Sequence, residues 1–342
     1  MSEMTGMGVA LGIGLPGAVW SNSPELQVAA AFGIGLLITL LLGPVLIPLL
    51  YRLKFGQDVR SDGPRSHLKK QGTATMGGLL IIGGAGVASL LIAGHAWENL
   101  LLVGIMIGCG LLGFADDFVK IVLKRSLGVK ARTKLLVQVL LGLLLAWAAL
   151  ALHPDTTVLI PYTGLRFPLN TYGYCILVVF IMVASTNAVN LTDGLDGLAS
   201  GLVLVAAITF VLFAWMTGQY SAAVFAGALG GGCLGFLRFN HYPARVFMGD
   251  TGSLALGGAL AALAVLTHTE LLLLILGGVF ALETLSVIIQ VVSFRLTGRR
   301  VFRMSPLHHH FELSGWPETR VVHWFWALGL CCAVLGIWAM RG

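Results

Sequence analysis

Gly113-Phe-Ala-Asp116-Asp117-Phe-Val-Lys120 closes an apolar run that begins near residue 98, and it sets two acids at the end of a stretch that otherwise reads as lipid-soluble. Two further runs end or begin the same way. Asn187-Ala-Val-Asn190-Leu-Thr-Asp193-Gly-Leu-Asp196-Gly197 follows one, and Phe247-Met-Gly-Asp250-Thr-Gly-Ser253 opens another. The chain has only 15 Asp and Glu in 342 residues, and five of them stand in these three segments. A carboxylate at the depth of a bilayer costs roughly 2.5 to 3.5 kcal/mol on insertion scales, so acids kept there are candidates for chemistry.

The composition agrees with a membrane setting. Hydrophobic residues make up 57% and charged residues 11%, against about 25% charged in soluble domains. Apolar windows of span length recur near 26–50, 76–94, 98–115, 134–152, 173–190, 197–216, 222–239, 253–268, 271–293 and 321–340. These predict an all-α polytopic integral membrane protein of about ten transmembrane helices, in one domain over 1–342. A small β-hairpin is predicted at 153–171, where alternating apolar residues flank Tyr162-Thr-Gly164. The first 25 residues lack a basic start and a compact apolar centre, so the first span is expected to be kept. Cys109, Cys175, Cys233, Cys331 and Cys332 lie in apolar runs without metal-type spacing and read as small core residues.

Lysine and arginine set the orientation. Nineteen of the 21 fall in four regions, 51–75, 116–134, 238–252 and 293–320. By the positive-inside rule these regions are cytoplasmic, both termini lie outside, and the hairpin is extracytoplasmic. All three acidic segments then reach the cytoplasmic face. The partners expected are the lipid bilayer and a polyanionic substrate, not a nucleic-acid polymer.

Several side chains carry the candidate chemistry. Asp116 and Asp117 point about 100° apart on a helix, so one can face a bundle while the other meets metal or solvent; a merely solvated helix end is the simpler alternative, though acids there oppose the helix dipole. Asn190, Asp193 and Asp196 are spaced i, i+3, i+6, which predicts one helical face; capping and Asx turns would explain only part of the set. Asp250 and Ser253 read either as a capping pair or as metal and ligand contacts. Clustered carboxylates without Cys or His at ligand spacing suit Mg²⁺ together with substrate phosphates. Lys120, Lys130, Arg132 and Lys134 can bind a diphosphate, although some of them serve orientation alone. Lys70 followed by Gly72-Thr-Ala-Thr-Met-Gly-Gly78 resembles a phosphate-approachable turn, and equally a helix-packing surface. His308, His309 and His310 in Ser305-Pro-Leu-His-His-His-Phe-Glu312 are consecutive, so they point apart and make a poor single zinc site.

Taken in order, Arg60-Ser-Asp-Gly-Pro64, His67, Lys70-Gln-Gly-Thr73, the three acidic segments, His308-His-His-Phe-Glu312 and Gly315-Trp316 resemble the phospho-N-acetylmuramoyl-pentapeptide transferase family, within the polyprenyl-phosphate N-acetylhexosamine-1-phosphate transferases. The resemblance runs from about residue 51 to 326, and the histidine segment points to the muramoyl branch. It implies transfer of phospho-MurNAc-pentapeptide from UDP-MurNAc-pentapeptide to undecaprenyl phosphate, giving lipid I and UMP with Mg²⁺ as cofactor, and a homodimer as a candidate assembly. It implies catalytic roles for Asp116, Asp117, Asp250 and His309, with Asp250 and Asp117 on the metal. Lys70, Thr75, Lys120, Lys134, Asn187, Asn190, Asp193, Asp196, Asn240, Phe247, Gln290, His308 and His310 are implied in substrate binding. Two alternatives stand beside this reading. A transferase for UDP-GlcNAc would share the acidic segments, and an ion-coupled transporter would use intramembrane acids as a relay. Against the transporter, no internal repeat is visible and the acids gather at one face.

Overall fold

The structure is a computed structural model that describes residues 23–53, 70, 72–125 and 127–341. Residues 1–22 lie outside the described residues, as do Lys54, Arg65, Lys69 and the motif residues from Arg60 to His67. Twelve helices and one hairpin follow in order: α1 (Pro24–Arg52), α2 (Gly78–Ala93), α3 (Trp97–Ile121), α4 (Ala131–Leu152), β1 (Thr157–Leu159), β2 (Arg166–Pro168), α5 (Thr171–Thr192), α6 (Leu198–Met216), α7 (Tyr220–Asn240), α8 (Gly249–Leu266), α9 (Leu272–Leu276), α10 (Gly278–Thr297), α11 (Leu307–Leu313) and α12 (Glu318–Arg341). Among the described residues, nine helices are long and apolar enough to cross a bilayer. Helix α2, with 16 residues, is apolar but shorter than these nine. The protein is a polytopic α-helical membrane protein, as its apolar runs predict.

Helices α7 and α8 form the enclosed centre. Most of each is buried, α8 packs against α3, α5 and α2, and α7 packs against α1, α6 and α2. Both are built from Gly and Ala, because helices in lipid associate by close backbone approach rather than by hydrophobic exclusion. The contact of α3 with α8 shows the requirement: a Cβ on Gly113 would overlap the carbonyl of Asp250. The outer helices show the reverse pattern. Leu41, Val45, Trp147, Ile176 and Val334 are exposed, as expected of side chains that face lipid. Cys109 and Cys233 are buried core residues as predicted, whereas Cys331 lies exposed on α12.

The hairpin forms as predicted, β1 antiparallel to β2 with Val158 opposite Phe167. It is tied to the end of α12, where Tyr162 N–H donates to the Ala339 carbonyl at 2.8 Å. Three local expectations are corrected. Helix α3 runs to Ile121 rather than 115, because Lys120 pairs with Asp116 one turn earlier and keeps the acids helical. Asn190, Asp193 and Asp196 do not share a helical face. Helix α5 stops at Thr192, Asp193 caps it, and Gly197 adopts a left-handed φ of +80°. The ninth run, 271–293, is broken at Gly277 into α9 and α10.

At the hairpin end, Glu270 is buried in the connection between α8 and α9, and Oε1 accepts from the Tyr174 hydroxyl at 3.0 Å. Burial pushes this carboxyl up to about 7. The unfolded chain therefore loses this proton at lower pH than the native state does. Native stability should fall as pH rises from about 4.5 to 7 and level off above, a contribution on the order of 3 kcal/mol. Thermal unfolding of detergent-solubilised protein at pH 5 and pH 8 measures it. The pH-dependent loss should shrink in Glu270→Gln, and an unchanged loss would place its origin elsewhere.

Candidate active site

The first turn of α8 is the point on which the site is built. Gly249 has φ +73°, a left-handed conformation, and a Cβ there would come 2.6 Å from the Asp117 carboxylate. Its absence lets Asp117 reach across from α3. Asp117 Oδ1 accepts from the Asp250 N–H at 3.1 Å, and Oδ2 accepts from the N–H and hydroxyl of Thr251 at 2.9 and 2.7 Å. A carboxylate of one helix thus satisfies the unpaired N–H groups that begin another. Asp250 itself is released from capping.

Asp116 and Asp250 share two ammonium groups. Lys120 Nζ lies 2.6 Å from Asp116 and 3.1 Å from Asp250, and Lys134 Nζ, from the start of α4, lies 2.9 and 2.8 Å from the same pair. Asp116 also accepts from the Val129 N–H at 2.7 Å. Asn190, in the last turn of α5, donates to Asp250 at 3.0 Å and to the Ser253 hydroxyl at 2.8 Å. Helices α3, α4, α5 and α8 therefore meet on one ring of charges. Among the described residues, Asp116, Asp117 and Asp250 are the group whose ligand atoms converge within 4.8 Å. Their donors are oxygen only, and two ammoniums stand where a divalent cation would bring its charge; this chemistry fits Mg²⁺.

Asp193 stands beside this ring with no side-chain partner among the described residues. Burial, then the charges of Asp250, Asp117 and Asp196, raises its pKa well above the usual carboxylate range. Asp196 belongs to a second group. Lys70 Nζ lies 2.7 Å from Asp196 and 2.6 Å from Glu318, the first residue of α12. Asn240 is buried and holds this loop, accepting from the Gly197 N–H and donating to the Val246 carbonyl, each at 3.0 Å. Phe247 is half-buried in a segment that pairs with 74–78: its N–H donates to the Ala74 carbonyl and its carbonyl accepts from the Gly77 N–H, both at 2.8 Å. Thr75 is buried in that pairing. Asn187 sits apart, donating to Gln138 at 3.0 Å.

The three histidines take different polar partners, although the rings of His308 and His309 do not point apart and their centroids lie 4.2 Å from each other. On α11, His308 is buried with Nδ1 3.2 Å from Glu283 of α10, and its ring lies against Gly194. His309 Nδ1 lies 2.8 Å from Glu312. His310 Nδ1 accepts from the Arg303 N–H at 3.2 Å. Gln290 pins the preceding segment by accepting from the N–H groups of Val301 and Phe302 and donating to the Phe302 carbonyl. Glu283 and Glu318 were missed by the sequence reading. Glu283 is a lone acid within an apolar run, a signal the cost of intramembrane charge already offers; Glu318 carries no such mark, since an acid at a helix start is ordinary.

Comparison with known proteins completes the description. The model of Glycosyl transferase family 4 matches residues 99–268. A phospho-N-acetylmuramoyl-pentapeptide-transferase of Desulforudis audaxviator is 55% identical over 331 residues, covering 93% of this chain and 99% of that protein. Proteins of the same name from Bacillus velezensis and Moorella thermoacetica are 52% and 55% identical, covering 89% of this chain and 95% of theirs. The acids and lysines at the end of this helical bundle are thus the candidate site of a membrane transferase, and the chain belongs to the phospho-N-acetylmuramoyl-pentapeptide-transferase family.

Proposed function

We propose that the protein transfers phospho-MurNAc-pentapeptide from UDP-MurNAc-pentapeptide to undecaprenyl phosphate, with Mg²⁺, at the cytoplasmic face of the bacterial inner membrane, giving lipid I and UMP. The observation that carries this reading is the ring in which Asp116 and Asp250 share Lys120 and Lys134 at one end of the membrane bundle. There a soluble polyanion and a lipid phosphate can both arrive. The positive-inside distribution of Lys and Arg supports the cytoplasmic side.

In the reaction, an oxygen of the lipid phosphate bonds to the phosphorus next to the sugar. The bond from that phosphorus to the bridging oxygen breaks, and the electron pair leaves with UMP. A phosphate monoester has a second pKa near 6, so near pH 7 the attacking group is mostly dianionic and no strong base is required. The chain's task is to position two anions and offset their repulsion. Lys120 and Lys134 are placed for this, because each can turn from a carboxylate to a phosphate oxygen without leaving the ring. Asp250 and Asp117 would hold Mg²⁺, which supplies charge neutralisation at the diphosphate. Asn190 orients Asp250, and Asp117 fixes the helix end that presents it. Asp193, Asp196 and Phe247 are assigned to the nucleotide, and His309 to the muramoyl-phosphate side, with His308 and His310 holding its segment.

Purified protein with undecaprenyl phosphate, Mg²⁺ and either UDP-MurNAc-pentapeptide or UDP-GlcNAc should release UMP with the former only. Release with UDP-GlcNAc alone would favour the sister transferase. Asp250→Asn should reduce turnover to below about a tenth of wild type while leaving thermal stability near that of the parent. Asp117→Ala should lose both, since it also removes an α8 cap of about 1 kcal/mol.

His309→Ala should cost about tenfold to a hundredfold in rate, the range expected for a hydrogen bond to a charged group. Zinc chelators should have no effect while Mg²⁺ is present. Inactivation by chelation, reversed by Zn²⁺, would instead make the histidine segment a metal site.

A further inference from the structure

Glu318 lies outside the acidic ring and shares the second charged group with Asp196. Its Oε1 accepts from Lys70 Nζ at 2.6 Å and from the backbone N–H of Asp196 at 2.8 Å. Lys70 also donates to Asp196 Oδ1 at 2.7 Å, and Asp196 Oδ2 accepts from the Ala244 N–H at 2.9 Å. The side chains of Lys70, Asp196 and Glu318 are 15%, 2% and 7% exposed. One ammonium therefore serves two nearly buried carboxylates, leaving one excess negative charge. A purely structural clasp for α12 would be better made from neutral groups, because a buried charge costs more in desolvation than such a clasp returns. The ammonium has three N–H donors, and groups among the described residues take two of them. The ring of Tyr242 stands 5.8 Å from Nζ and offers a flat surface beside it.

We propose that Glu318 is a positioning residue of the nucleotide subsite. It holds the Lys70 ammonium and the Asp196 backbone in one arrangement, so that a pyrimidine nucleotide meets a fixed donor beside a fixed acceptor. This inference rests on the nucleotide-sugar reading given above. It adds a residue on α12, which the acidic segments do not include. Without Glu318 the ammonium is left to Asp196 alone, and the loop that carries Asp196 loses its backbone tether to α12.

The test uses the full chain in detergent. UMP release by wild type from UDP-MurNAc-pentapeptide tests the underlying function, and calorimetric binding of UMP tests the subsite even if that substrate is refused. Glu318→Gln keeps size and an acceptor oxygen but removes charge, and should raise KM for the nucleotide substrate and Kd for UMP about tenfold; Glu318→Ala should raise both about tenfold to a hundredfold. In each, kcat should stay within about threefold, and KM for undecaprenyl phosphate should not move. Once Lys70 is replaced by Ala, the further change Glu318→Ala should add little, because coupled groups are not additive. Unchanged KM and UMP affinity in a variant that melts like wild type would overturn the proposal. So would a loss confined to kcat, or fully multiplicative effects of the two substitutions. If Glu318→Ala does not accumulate, Glu318→Gln decides on the same readouts.

Discussion

Three carboxylates gathered at the end of a membrane bundle would drive their helices apart, and the sharing of Lys120 and Lys134 between Asp116 and Asp250 is what permits the gathering. Everything else at that end is arranged around this compromise. Lys120 comes from the same helix as Asp116, while Lys134 is brought by the first turn of α4. Asp117 is kept from the shared ammoniums by its commitment to the start of α8. The two adjacent acids thus face different partners, Asp117 the start of α8 and Asp116 the shared lysines, in keeping with the 100° between neighbouring side chains on a helix.

The ring balances two carboxylates with two ammoniums, so the excess negative charge at this end comes from Asp117 beside it, and the Lys70 group has a similar excess at the α5–α6 connection. On the function proposed above, cations must be available at the moment a nucleotide diphosphate binds. Ammoniums stored on carboxylates meet that need, since they are kept in place by weak competition rather than by burial alone. The histidine segment is held differently, through the Gln290 amide on one side and the buried contact of His308 with Glu283 on the other. Its position is therefore tied to α10, whose lower part belongs to the membrane.

Much of this was legible before any coordinates. The apolar runs predicted the nine spanning helices and the shorter α2, and alternation about Tyr162-Thr-Gly164 predicted the hairpin, because burial in lipid and strand pairing both leave periodic marks. The acids now found together, Asp116, Asp117 and Asp250, were singled out by their cost alone. What local pattern could not reveal was where helices stop. Lys120 prolongs α3 through pairings made partly with α8, and Gly194 and Gly197 end a spacing that on paper continues a helical face. Glu318 escaped notice because its partners lie at positions 70 and 196, and a long-range clasp has no signature in the residues around it.

The enclosure of α7 and α8 bears on how the chain enters its membrane. These two helices are the most shielded from lipid of the nine long spans and, with their glycines and alanines, are also the least hydropathic. A segment that prefers neighbouring helices to acyl chains is held weakly if it partitions alone. Biogenesis must then deliver α7 and α8 to a partly assembled shell of α1 to α6, which the chain's order of synthesis does. The helix that presents Asp250 is thereby installed only after the helices that bear its lysines, so this carboxylate arrives with its counterions already waiting.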